Sequence, residues 1–162
     1  MRKIIKNKKG FSLIELLIVI AIIGVISIMA FAAFTGILES SRRKSDHQTA
    51  HLIEKAIEVY IISTNDIKLG NLSYDEIIDK DMDTEFSTEL ILALQHKITC
   101  ELNGEELAPL LVPKEGSTPS ADNFSTISKF YKGFRIEIYP DLMKSNVIPV
   151  SDIDQAVVNV NG

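Results

Sequence analysis

The chain has one cysteine, Cys100, no tryptophan, and no acidic residue before Glu15. A lone cysteine cannot close an intramolecular disulfide, so outside the cell the core must hold the protein without that staple. No paired-cysteine site, Ser-His-Asp arrangement or phosphate-binding glycine loop is present, and nothing repeats internally. Basic residues are the minority sign, with 17 Lys+Arg against 22 Asp+Glu in 162 residues. Nucleic-acid binding across the whole surface is disfavoured, because neutralising phosphates requires clustered Lys/Arg; a local patch is left open.

Apolar residues make up 46% of the chain and charged ones 24%, which excludes disordered and collagen-like classes. The length allows one ordinary domain, or a small domain with an appendage. The apolar excess is concentrated: Leu16 to Leu38 is a run of 23 residues without a charge. Charge is as uneven. Arg2, Lys3, Lys6, Lys8 and Lys9 give the first ten residues +5, and the remaining 12 bases and all 22 acids give the rest −10.

At ~1.5 Å per helical residue the uncharged run reaches roughly 35 Å, against about 30 Å for a bilayer's hydrocarbon core. The bases before it favour a cytoplasmic amino terminus with the body outside, despite Arg42, Arg43 and Lys44 beyond the far end. A cleavable secretory signal has a shorter apolar stretch, about 7–15 residues, ending in an Ala-x-Ala-like site. Here the run continues into a second helical pattern, so that is the weaker reading. Glu15 does not suit a simple anchor, since an ionisable group at the centre of a membrane segment costs about 2.5–3.5 kcal/mol and less near its edge.

Lys8-Lys9-Gly10-Phe11-Ser12-Leu13-Ile14-Glu15, followed by an unbroken apolar stretch through Gly24, resembles the class III signal of type IV pilins and pseudopilins. The resemblance covers roughly the first 35 residues and rests on a short basic leader, Gly10, Phe11 after it, and Glu15. It implies cleavage between Gly10 and Phe11 by a membrane-embedded prepilin peptidase, with methylation of the new Phe11 amine. Ser12 replaces the commoner Thr. Ala32 stands where the family often has Pro, leaving Gly24 and Gly36 as the weak points of the helix. Physically, cutting removes +5 that resists withdrawal from the membrane and creates a cation able to meet Glu15 of a neighbouring subunit. A buried pair of that kind is a device for register, and losing one partner costs roughly 3–5 kcal/mol.

Past the run, Ala50, Ile53, Ala56, Ile57, Tyr60 and Ile61 share one helical face, with Asp46, Gln48, Glu54, Lys55 and Glu58 on others. The pattern predicts one helix from about Phe11 to Ile62, amphipathic in its second half and ended by Ser63-Thr64-Asn65-Asp66. After it the chain reads as α+β. The spacing predicts a turn around Tyr74 to Lys80 and a helix capped by Ser87 through about His96. Phe134 to Tyr139 reads as a strand, preceded by Gly133 and stopped by Pro140; Val147 to Val150 returns beside it, with Pro149 implying an edge or bulge. Leu107 to Val112 is a further strand candidate, and residues 113–128 a loop.

Candidate chemistry in this body is thin. His47 and His51 stand at i, i+4, but Gln48 occupies the position of a metalloprotease Glu, so a solvated face is expected. Asp79, Asp81 and Asp83 imitate a calcium loop, yet Thr84 and Leu90 replace its Gly and Glu. Cys100 reads as a small buried hydrophobe rather than a nucleophile. Tyr131, Phe134 and Tyr139 offer either an adhesive patch or sheet core, and alternation favours core.

The resemblance implies a pilin-like architecture: a leader at residues 1–10, the membrane or filament-core half of the helix at 11–38, and a head at 39–162 with a small antiparallel sheet. It implies a structural subunit rather than an enzyme, with no catalytic residue, metal or cofactor. Expected partners are copies of itself, the prepilin peptidase, an assembly ATPase with its platform protein, and the membrane before assembly; no direct nucleic acid is expected. Adhesion, twitching motility and aggregation follow for such filaments. The alternative within the family is a pseudopilin of type II secretion or DNA uptake; outside it, a membrane-anchored binding module or enzyme. The lack of a disulfide departs from Gram-negative pilin heads and points to a Gram-positive source.

Overall fold

In the computed structural model the described residues are 12–67, 69, 72, 86–99 and 106–161. Helix α1 runs Leu13–Thr64, passing unbroken through Gly24 and Gly36. By length and composition it is able to cross a membrane. The chain divides into two compact units, one ending at Glu39 and one from Ser40 to Gly162.

In the first unit every large hydrophobic side chain from Leu13 to Leu38 is exposed. The hydroxyls within the run are satisfied locally: Ser27 donates to the Ile23 carbonyl at 2.7 Å and Thr35 to Ala32 at 2.9 Å. Returning these groups to the helix's own backbone leaves no unmet donor on the apolar surface.

The second unit contains the core. Ala50, Ile53, Ala56, Ile57, Tyr60 and Ile61 of α1 are all buried. They pack with Leu90, Ile91 and Leu94 of the α2 region, with Leu111, and with Phe134, Ile136, Ile138, Val147 and Val158 of the sheet. Each fully buried Ile or Leu is worth about 1.5–3 kcal/mol of transfer free energy. Helix α1 ends where Asn65 turns left-handed, at φ 54°, and its amide returns to the Ile61 carbonyl. Asn tolerates that conformation better than most residues. Buried Tyr60 reaches out of the core to donate to Asp66 Oδ2 at 2.6 Å.

Helix α2 spans Phe86–Ala93, so Ser87 lies inside its first turn rather than capping it. The Ser87 hydroxyl instead donates to the Ala156 carbonyl at 2.8 Å, a partner 69 positions away. Two short strands, β1 (Ile98–Thr99) and β2 (Glu106–Leu107), pair antiparallel. The strand expected over Leu107 to Val112 is therefore confined to its first residue. The Leu110 and Leu111 amides both turn to the Leu94 carbonyl, which Pro109 and the end of α2 favour over continued pairing. The loop that follows holds one 3-10 turn, Ala121–Phe124. Buried Gln95 ties it down, donating to the Ile91 and Ser120 carbonyls and accepting from the Ser120 amide and Asn123 Nδ2.

The main sheet has three strands in the order β4-β3-β5: β3 Gly133–Tyr139, β4 Lys144–Val150, β5 Val158–Val160. Strand β3 alternates between buried Phe134, Ile136, Ile138 and half-buried Arg135, Glu137, Tyr139. It joins β4 through a four-residue hairpin loop whose last member, Met143, adopts φ 49°. Pro149 sits opposite Phe134 in an unbroken register, tolerated because β4 is an edge strand. The sheet is mixed rather than wholly antiparallel, because β5 runs parallel to β3 on its other edge, with Ile136 opposite Val158. The short connection from β4 crosses the end of the sheet against Gly133, where an added Cβ would lie 2.7 Å from the Ala156 Cβ.

Candidate functional site

The start of α1 is built by a reciprocal pair. The Ser12 amide donates to Glu15 Oε2 at 2.9 Å, and the Ile14 amide approaches the Ser12 hydroxyl at 3.4 Å. This is a capping box, in which two side chains satisfy amides that the first helical turn leaves unpaired. Each such cap is worth about 0.5–2 kcal/mol. Glu15 also places a carboxylate near the positive end of the helix dipole. The Ser-x-x-Glu spacing was readable in the sequence; its capping use became apparent only from the atoms. Gly10, Phe11 and the basic leader lie outside the described residues.

Beyond the cap, the apolar side chains of residues 13–38 are exposed among the described residues. A surface of this extent on a soluble monomer is a site of association with lipid or protein.

The head carries a second constellation. Asp46 is fully buried, and its oxygens accept the amides of Ile127 at 2.7 Å and Ser128 at 3.1 Å. On the same helix, Arg43, one turn earlier, stacks over the Phe130 ring at 4.4 Å, and Nε2 of the adjacent His47 lies 3.2 Å from the Tyr131 hydroxyl. Three neighbouring α1 side chains thus grip residues 127–131. Asp46 reads in sequence as lying off the apolar stripe, and the structure buries it. Its spacing of four and seven residues from Ala50 and Ile53 continues the buried stripe, which is the signal that would have found it.

The other candidates separate. His47 is occupied by Tyr131, while His51 lies 3.6 Å from Glu54, so the two histidines do not converge. Among the described residues no group of three or more His, Cys, Asp or Glu side chains is placed to hold a metal. Asp79, Asp81, Asp83, Cys100 and the turn expected around Tyr74 to Lys80 lie outside the described residues. Phe134 is core, whereas Tyr131 and Tyr139 are half-buried. Tyr139 donates to Glu137 Oε2 at 3.0 Å, and that hydrogen bond, with burial, raises its pKa above the usual value of 10.0. The shallow groove between Leu52, Val59, Leu111 and Phe124 is apolar, with Lys55 its one charged lining residue.

Comparison with known families matches residues 5–31 to the prokaryotic N-terminal methylation motif. No curated protein and no solved structure matches the chain. The motif points to a structural protein and implies processing by a prepilin peptidase. Its matched residues include Ser12, Glu15 and the first half of the exposed apolar helix. This chain therefore carries a type IV pilin-like amino-terminal signal, leading into a long apolar helix and an α+β head.

Proposed function

We propose that the chain is the precursor of a type IV pilus subunit, cut between Gly10 and Phe11, methylated at Phe11, and assembled through the apolar half of α1. The observation that carries this reading is the conjunction of the methylation motif at residues 5–31 with a helix whose apolar residues from Leu13 to Leu38 are all bare. Such a surface is stable in lipid before assembly and against copies of itself afterwards. The leader's +5 sets a cytoplasmic amino terminus and holds the precursor in the membrane. Its removal leaves residues 11–38 as the filament-core segment and residues 39–162 as the outward head.

The assembly chemistry centres on one carboxylate. Glu15 lies four positions from Phe11, whose amine is cationic only after cleavage. In a packed apolar filament an unpaired Glu15 would be costly, so a neighbour's amine at that depth defines the stagger of one subunit on the next. An ATP-driven machine with a platform protein would supply the work of extraction. Adhesion, twitching motility and aggregation are the roles that follow from a surface filament. A pseudopilin shares the same motif, and filament length by immunogold microscopy separates the two.

The test is the mass of the amino-terminal peptide of native protein from membrane or surface-shear fractions. A peptide beginning at methylated Phe11 is expected. One retaining Lys8-Lys9-Gly10 in functional, surface-exposed protein would mean a permanent anchor and overturn the reading.

A further inference from the structure

We propose that the exposed face formed by Arg42, Arg43, Lys129 and Lys132 around Phe130 docks onto anionic phospholipid headgroups while the chain is held in the membrane. The proposal rests on the membrane-inserted state in the reading above, and not on whether the filament is a pilus or a pseudopilus.

The face is a product of the tertiary structure. Arg42, Arg43 and Lys44 lie on α1, and Lys129 and Lys132 are more than eighty positions later. The Asp46 bonds to Ile127 and Ser128, the Arg43–Phe130 stack and the His47–Tyr131 contact bring the two segments together. Four of the 12 bases that follow the leader, Arg42, Arg43, Lys129 and Lys132, stand on the two segments joined here, and the acid that joins them, Asp46, is buried, in a body whose net charge is −10. Arg42, Arg43 and Lys129 also interact within the chain, so attraction comes from the local net sign rather than from unpaired cations.

Composition and position select the partner. Phe130 is 47% exposed and Ile127 56%, interleaved with exposed Lys129 and Lys132. Aromatic and aliphatic groups set among bases are the pattern of a surface seated at the headgroup boundary. Arg42 follows Leu38, the last residue of the uncharged run, by four positions. At ~1.5 Å per residue that is about 6 Å of helix, comparable with the polar layer outside the hydrocarbon core. Arg42 and Arg43 stand on the stretch of α1 that directly follows the uncharged run, which is where a spanning helix meets headgroups.

The chain has no tryptophan, so Phe130→Trp installs a single fluorescent reporter on this face and keeps a ring beneath Arg43. The full-length variant is reconstituted in vesicles of brominated phosphatidylcholine, with or without brominated phosphatidylglycerol. Blue-shifted emission and about threefold stronger quenching are expected with the anionic lipid, reverting at roughly 1 M salt, where the Debye length is near 3 Å. Adding Lys129→Glu and Lys132→Glu is expected to abolish the difference. The salt response tests the same point without those substitutions. Equal emission in both compositions would overturn the proposal. So would a shift produced by a duplex oligonucleotide but not by the anionic lipid, which would assign the face to nucleic acid. Phe31→Trp, inside the uncharged run, separates the two readings: quenched in both compositions, it confines a failure to the docking face; unquenched, it removes the membrane reading and the proposal together.

Discussion

Asp46 Oδ1 accepts the Ile127 amide hydrogen at 2.7 Å, joining residues 81 positions apart. With the Ser128 amide on its second oxygen, this carboxylate is the point at which the late loop is fastened to α1. Asp46→Ala removes the acceptor for two amides, one of them buried, and is expected to destabilise the head by about 2–4 kcal/mol. Asp46→Asn keeps one acceptor oxygen and is expected to lose about half of that. Denaturant unfolding of the full chain in detergent measures both, and an unchanged midpoint for the alanine variant would show that the loop is held by other contacts.

Gly133 is required by packing rather than by backbone conformation. Gly133→Ala would place a methyl 2.7 Å from the Ala156 Cβ, pushing on the crossover that delivers β5. A loss of about 1–3 kcal/mol is expected from overpacking. Ala156→Gly in the same chain should recover part of it, and the double-mutant cycle reads the coupling directly. Strict additivity would mean that the two positions do not press on each other.

Glu15 serves two expected purposes that substitutions can separate. Glu15→Gln retains an oxygen for the Ser12 amide but no charge, whereas Glu15→Ala loses both. Both variants should be cleaved normally, and both should lower filament yield by at least an order of magnitude if pairing with a neighbour's amine sets register. Sheared filament quantified by immunoblot decides. Wild-type yield from Glu15→Gln would assign the residue to capping alone.

Tyr139 and Lys55 give the head a defined response to alkali. The Tyr139 hydroxyl donates to the Glu137 carboxylate, and this raises its pKa above 10.0. A group with a raised folded pKa stabilises fully below its unfolded value, and that stabilisation fades as pH rises through the folded value. Stability should therefore hold up to pH 10 and decline above it. Lys55, raised above 10.5 by its hydrogen bond to Glu58, acts in the same direction, weakly because its side chain is solvated. Glu137→Gln should move part of the tyrosinate absorbance titration toward 10.0 relative to the parent chain. An unchanged titration would separate the shift from that hydrogen bond.

Much of this architecture was legible because it depends on periodicity. The stripe from Ala50 to Ile61 and the alternation from Phe134 to Tyr139 are local patterns that burial then selects. Ser87 and Leu107 to Val112 read differently in the chain and in space for one shared reason: their partners, the Ala156 and Leu94 carbonyls, are supplied by other elements. Local propensity cannot anticipate a hydrogen bond whose acceptor arrives from 69 positions away.

By itself, the sequence determined the amino-terminal segment of the protein, through Leu38. The basic leader, Gly10-Phe11, Glu15 and the uncharged run are read in order along the chain, and an apolar helix needs no tertiary contact to expose its surface. Only the tertiary structure decided that Asp46 is buried, that β5 runs parallel to β3, and that Arg43 of α1 meets Phe130. These features arise where distant segments satisfy each other's backbone groups, because a buried amide or carboxylate must find a partner wherever the fold brings one.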